Sequence, residues 1–195
     1  MTRRPPSIPP ASATQCGGDE GSRSSCATLI IGLGNPLRGD DGVGVRVAQI
    51  LGNRTLPDDV EVLDGGTQGL GIVNLMEGRQ RVILVDAAEM GRSPGEFVRF
   101  ELSEVHLLGD GVETASTPRG VGTALTPRDA HLSVHAAGLR DALALAQALQ
   151  MLPPEIIIFG VQPLNLEWES ALSPFVEAVL PDLVAAILAE VDKSV

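Results

Sequence analysis

The segment GLGNPLRGDDGVG, residues 32–44, combines closely spaced glycines with two adjacent acids, Asp40 and Asp41. A glycine-rich turn after a strand can present backbone amides to a phosphate, but a pair of carboxylates at the same place repels one. The dinucleotide-binding pattern G-x-G-x-x-G requires a third glycine where Leu37 stands, and the Gly-Lys-Ser/Thr of a Walker loop is absent. The segment therefore favours binding of a cation over binding of a nucleotide.

Three further residues could share that chemistry. Asp64 precedes a Gly-Gly pair, Asp86 closes the apolar run VILVD, and His135 opens an apolar helical pattern. Carboxylates combined with an imidazole suit nickel or zinc and are a poor set for calcium. A histidine at a helix N-terminus is disfavoured as a cation by the helix dipole, which leaves a neutral ring able to bind metal.

Each of these residues also has an ordinary structural interpretation. Asp40 or Asp41 could cap the following helix, and Asp64 could be a turn residue before its two glycines. His135 could be a structural histidine at a helix start. Asp86 at a strand end is more typical of a cap or of a group that supports a ligand than of a ligand itself. The residues alone leave these alternatives open.

Periodicity defines the elements that would position these side chains. Short apolar or β-branched runs predict strands, and apolar residues at helical spacing predict helices. The predicted strands are 29–33, 60–66, 81–89, 95–102 and 155–163, and the predicted helices are 40–51, 69–77, 135–150 and 173–191. Pro181 should kink or split the last helix. The stretch 103–134 has no periodic pattern, which is typical of a functional or mobile loop.

Strands that alternate with helices predict an α/β fold: a three-layer sandwich with a twisted, mostly parallel five-stranded sheet between helices. The 95–102 segment alternates polar and apolar residues and suits an edge strand. Ligands of such folds bind outside the carboxyl ends of the strands. Asp40, Asp41, Asp64, Asp86 and His135 all follow or end elements at this edge, so we expect them to converge there.

Composition limits the partners. The chain has 195 residues, 44% of them apolar, enough for one domain with a sizeable core. A net charge of −11 argues against nucleic acid and against an anionic membrane surface. No apolar run approaches the roughly 18 residues of a membrane span, and no signal peptide is evident, so we expect no membrane insertion and a cytoplasmic location.

The first 27 residues are rich in Pro, Ser and Gly and predict a flexible tail before a single α/β domain at 28–195. Both cysteines, Cys16 and Cys26, lie in this tail, match no metal-binding spacing and are interpreted as incidental thiols.

Several strings, taken in order, give the chain a family resemblance. GLGNPLRGDDGVGVRV, LDGGTQGL, VILVDAAEMGRSPGEFVRF, LSVHAAGLRDALALA, IIIFGVQP and ALSPFVEAV resemble the motifs of the hydrogenase maturation proteases. These endopeptidases process the large subunit of nickel–iron hydrogenases. The resemblance spans about residues 28–192, and it implies a twisted, mostly parallel sheet between helices.

The resemblance also implies a site and a substrate. Asp41, Asp64 and His135 match the family's metal-contacting residues and are the expected catalytic set, whereas Asn35 and Asp40 fall in the same loop with positioning and capping roles. His131 is a nearby histidine that does not match. The implied reaction is an aspartyl-type removal of a C-terminal extension from the nickel-loaded large-subunit precursor. The nickel is supplied by the substrate, with zinc or cadmium able to substitute in vitro.

The attacking water could be activated by metal or by a carboxylate. A non-catalytic module that checks nickel loading is the alternative function.

Overall fold

The computed structural model describes residues 27–102, 131–132 and 134–193. The predicted tail with its two cysteines, apart from Ala27, lies outside these ranges, and so do residues 103–130 and 133 of the aperiodic stretch 103–134. Within them the predicted α/β architecture is confirmed. None of the helices in these ranges has both the length and the apolar character needed to cross a bilayer.

Six strands and four α-helices make up the described fold. The strands are β1 (Thr28–Leu33), β2 (Val60–Gly66), β3 (Arg81–Glu89), β4 (Phe97–Glu101), β5 (His131–Leu132) and β6 (Glu155–Val161). The helices are α1 (Val43–Gly52), α2 (Ile72–Met76), α3 (Val134–Ala148) and α4 (Pro174–Asp192). Single 3-10 turns at Gly39–Gly42 and Gly69–Gly71 lead into α1 and α2.

The main sheet has the order β2-β1-β3-β6-β4. The first four of these strands are parallel, and β4 is the antiparallel edge strand that its alternating sequence predicts. The sequence did not predict β5, whose two residues pair antiparallel with Ala88 and Glu89 at the carboxyl end of β3. Such a short strand has no periodicity from which it could be recognised.

Helices cover both faces of the sheet. One core cluster joins α1 and α4 to the side chains of Ile30, Ile83 and Ile157, and the other joins α2 and α3 to Ile31, Leu84 and Ile158. Because successive residues of a strand point to opposite faces, each buried strand supplies both clusters. This explains why β3 is buried along its whole length except for Glu89.

The expectation that Pro181 would split the last helix is wrong, since α4 continues without a break from Pro174 to Asp192. Proline removes one backbone donor, which leaves the carbonyl of Glu177 without its helical partner. Pro181 and Glu177 are both exposed, so water can satisfy that carbonyl. Ser173 caps the helix, accepting a hydrogen bond from the Val176 amide.

Candidate active site at the carboxyl edge of the sheet

Glycines allow the loop after β1 to lie directly on the sheet. Gly34 has φ +113°, and a Cβ built there would stand 1.7 Å from the carbonyl oxygen of Asp41. Gly44, in the first turn of α1, would place its Cβ 2.2 Å from the carbonyl oxygen of Val85 in β3. The glycines therefore serve close backbone packing, which brings the segment that carries Asp41 against the end of β1 and the middle of β3.

Asp41 is held inside this loop. It is buried, and its Oδ2 accepts a 2.9 Å hydrogen bond from the backbone amide of Asn35. The Asn35 side chain in turn accepts from the Leu37 amide at 3.0 Å, so the loop folds around its own polar groups. The Asp41 carboxylate thus has a fixed position in the loop.

Asp86 lies beneath that loop in β3, directly after Val85, the last β3 residue that pairs with β1. It is fully buried, and its Oδ1 accepts a 2.9 Å hydrogen bond from the Ala87 amide. Its Oδ2 has no hydrogen-bond partner among the residues that the structure describes. A buried oxygen without a partner is costly in a folded protein and calls for a functional explanation.

The surroundings of Asp86 favour its neutral form. Burial, and then repulsion by the negative charge of Asp41, raise the pKa of Asp86 to about 8, although the Ala87 amide acts in the opposite direction. A carboxyl group that gives up its proton near neutral pH can take part in acid–base chemistry or accept a cation in place of the proton. Asp41 and Asp86 therefore form an electrostatically coupled acid pair.

Asp64 is placed differently. It is exposed on the edge strand β2, and its Oδ1 accepts a 3.0 Å hydrogen bond from the Gly66 amide. The register between β1 and β2 shifts here, with Gly32 opposite Asp64 and Leu33 opposite Gly66. Strand β1 separates β2 from β3, so Asp64 reaches the edge one strand further away than Asp86. Its role as a metal-contacting residue stays a prediction.

His135 is the second residue of α3, and its side chain falls outside the described part of the structure. Its backbone is nevertheless placed by the preceding strand. Leu132 pairs with Ala88, two residues beyond Asp86, so α3 begins at the carboxyl edge. Leu139, one turn after His135, is buried in the core, as the helical pattern predicts.

Asp40 points away from the helix that it was expected to cap. Neither the 3-10 turn nor α1 has a side-chain cap at its N-terminus. Instead, Asp40 is buried, and its carboxylate accepts hydrogen bonds from three backbone amides of the 164–173 segment: Leu164 at 2.8 Å, Asn165 at 3.4 Å and Ser173 at 2.6 Å. The second of two adjacent acids thus faces Asp86, while the first joins two distant loops.

The structure therefore brings Asp41 and Asp86 together and places Asp64 and His135 on elements at the same edge. The side chains that it describes contain no cluster of three or more His, Cys, Asp or Glu able to hold a metal ion. Sequence reasoning gave Asp86 a capping or supporting role and overlooked its pairing with Asp41. The sequence feature that could have indicated a functional Asp86 is an acid directly after four apolar residues of a central strand.

Comparisons with known proteins define the class. The model of the hydrogenase maturation protease family matches residues 45–110 and 124–190, more than half of the chain. The chain therefore belongs to the hydrogenase maturation protease family and is an endopeptidase.

Relatives with curated names, and a solved structure, agree with this family membership. A hydrogenase 2 maturation protease of Escherichia coli K12 is 32% identical, over 85% of this chain and 91% of the relative. A hydrogenase expression/formation protein, HupD, of Bradyrhizobium diazoefficiens is 35% identical, over 83% of this chain and 78% of its own length. The solved structure of the hydrogenase maturating endopeptidase HybD from E. coli has a TM-score of 0.69 at 30% identity, and covers 86% of this chain and 93% of that one.

Proposed function

We propose that this endopeptidase removes the C-terminal extension of a nickel–iron hydrogenase large-subunit precursor after the precursor has received its nickel. Family membership supports peptide-bond hydrolysis over the alternative of a non-catalytic checkpoint module. The timing would follow from recognition, because nickel held in the precursor is the feature that the protease contacts. A precursor without nickel would lack that contact.

The acid pair carries this proposal. Asp86 offers a buried oxygen that has no partner among the described residues, and Asp41 lies close enough to raise the pKa of Asp86. Two converging carboxylates repel each other unless a proton or a cation lies between them. A divalent ion from the substrate would replace the proton of Asp86 and relieve that repulsion.

The contacting set that we propose is Asp41 and Asp86 with His135. Asp64, which the sequence favoured as the second acid, already engages the turn at Gly66 and is exposed. The geometry therefore favours Asp86 over Asp64 for the inner position. An imidazole from the first turn of α3 and two carboxylates form a ligand set that suits nickel, zinc or cadmium.

The hydrolytic step follows from the same groups. An ionised carboxylate can accept a proton from the attacking water and then return that proton to the leaving amine. Nickel in the precursor, when bound, would polarise the nearby carbonyl. The reaction is then of the aspartyl type, with carboxylates that activate water and no acyl-enzyme.

Mass spectrometry of the products tests the proposal. Purified precursor, either loaded with nickel or free of it, is incubated with the full chain. The mass of the large subunit is then measured. We expect a shorter large subunit from the nickel-loaded precursor and an unchanged mass from the nickel-free one. Equal shortening of both would overturn nickel-dependent recognition, and no shortening of either would overturn the choice of substrate.

A further inference from the structure

Exposed apolar side chains are concentrated at the carboxyl edge of the sheet. Among the described residues, seven large hydrophobic side chains are exposed. Five of them follow strands at this edge or begin the helix after it: Leu37, Leu70, Leu164, Trp168 and Phe175. The other two, Leu145 and Leu149, lie near the opposite end of α3. An apolar surface that collects around one site is typical of a protein interface.

Two of the segments that carry these side chains are bound together. The Arg38 Nε donates a 3.1 Å hydrogen bond to the Leu166 carbonyl, and Arg38 also forms a β-bridge with Glu169. The Arg38 guanidinium carbon lies 5.8 Å from the centroid of the Trp168 ring, within the range of a cation–π contact. Trp168 therefore lies against Arg38 of the loop that carries Asp41.

The buried Asp40 carboxylate also connects these two segments. It accepts from the Leu164 amide, so Leu164 is fixed to the same loop as Leu37. The Gly39 amide also donates to the Glu169 carbonyl at 2.6 Å. Leu37, Leu164 and Trp168 thus belong to two segments that hydrogen bonds join, although more than 120 residues of sequence separate these segments.

Trp168 is unusual for its exposure. It is the one tryptophan in the sequence, it is 78% exposed, and exposed acids, Glu167 and Glu169, flank it. A tryptophan side chain has only two χ angles, so it loses little conformational entropy when a partner covers it. Tryptophan is also enriched among the residues that dominate binding energy at interfaces.

We infer that Leu37, Leu164 and Trp168 form a docking surface for the precursor, which would contribute an apolar patch flanked by basic side chains. This inference rests on the proposed function and adds where the substrate protein binds. The surface is continuous with the site, because the loop of Leu37 also carries Asp41. Basic side chains on the partner would complement the acids Glu167 and Glu169 and the net charge of −11.

Steady-state processing of nickel-loaded precursor tests the docking surface. We expect Leu164→Ala and Trp168→Ala each to raise KM by about tenfold while kcat stays within about twofold. Leu149→Ala, which removes an equally exposed leucine near the far end of α3, is the matched control and should leave KM unchanged. A Glu167→Gln/Glu169→Gln variant should bind the precursor more weakly at low salt, with a smaller difference at high salt.

Two further measurements distinguish docking of the precursor from structural support of the acid pair and from self-association. Zinc affinity of the isolated variants should equal that of the wild type, since the surface lies outside the acid pair. A parallel loss of zinc affinity in Leu164→Ala and Trp168→Ala would show that these residues support the site, which would overturn the docking role. An unchanged KM in both variants, or self-association of the wild type that Trp168→Ala abolishes, would also overturn it.

Binding of the chain to immobilised precursor, measured beside cleavage, distinguishes this inference from the proposed function. If the wild type binds the precursor through Trp168 but does not shorten it, the proposed cleavage fails and the docking surface stands. If the wild type shortens the precursor and Trp168→Ala and Leu164→Ala bind it as tightly as the wild type does, the docking surface fails and the cleavage stands.

Discussion

Asp40 and Ser173 are 133 residues apart in the chain, yet the Oδ1 of Asp40 accepts a 2.6 Å hydrogen bond from the Ser173 amide. The same carboxylate accepts from Leu164 and Asn165, which ties the loop after β1 to the segment that leads into α4. These hydrogen bonds also fix the position of the neighbouring residue, Asp41, in the loop.

Asp40→Asn should lower the free energy of unfolding by about 2–3 kcal/mol, because the amide NH2 would face backbone donors that a carboxylate satisfies. Urea denaturation measures this, with Asp182→Asn, at an exposed position of α4, as the control. A loss no greater than that of Asp182→Asn would show that the hydrogen bonds to Asp40 contribute little to stability.

Gly34→Ala should be among the most damaging single-methyl additions in the chain. The added Cβ would overlap the Asp41 carbonyl oxygen, and φ +113° is unfavourable for alanine, so we expect a loss of about 3 kcal/mol or more. Thermal melts of the variant measure this loss. Gly52→Ala, where nothing lies within 4 Å of an added Cβ, is the control and should be neutral or slightly stabilising. Similar melting temperatures for both variants would contradict the close approach of the loop to β1.

The titration of Asp86 predicts how stability depends on pH in the metal-free protein. Its pKa is about 8 when folded and near 3.8 when unfolded, so the folded state binds more protons between these values. Stability from this group is therefore complete below about pH 4 and is lost as the pH rises towards about 8.

Asp86→Asn has no proton to lose, so it isolates the effect. The stability of the variant minus that of the wild type should increase from pH 5 to pH 8 and level off above it. Urea unfolding at each pH gives this difference, in which contributions from groups that do not interact with Asp86 cancel. A difference that does not change with pH would show that Asp86 titrates normally.

The two histidines near the start of α3 should behave differently. His135→Ala should stop processing of nickel-loaded precursor, because it removes the expected imidazole ligand. His131→Ala should retain processing, because the backbone pairing of His131 with Glu89 does not require its side chain. The fraction of large subunit shortened in a fixed time distinguishes them. A folded but inactive His131→Ala together with an active His135→Ala would mean that His131 is the ligand.

Local patterns were sufficient to predict most of the fold. The apolar run of β3 and the helical spacing after His135 determine their elements through burial, and the alternation at 95–102 identifies an edge strand. The hydrogen bonds of Asp40 could not be predicted, since they depend on a turn that returns more than 120 residues later. The pairing of Asp86 with Asp41 depends on how closely the loop approaches β3, which glycines permit but do not by themselves reveal.

In the proposed function, Asp41 and Asp86 are the inner carboxylates that meet the metal. Titration calorimetry with nickel or zinc compares Asp86→Asn with Asp64→Asn in the full chain at pH 7, with folding checked by circular dichroism. We predict that Asp86→Asn loses most of the metal binding, while Asp64→Asn retains most of it. The wild type should also release protons on binding, because the metal displaces the proton of Asp86. Full binding by Asp86→Asn together with its loss in Asp64→Asn would contradict this claim and restore Asp64 as the ligand.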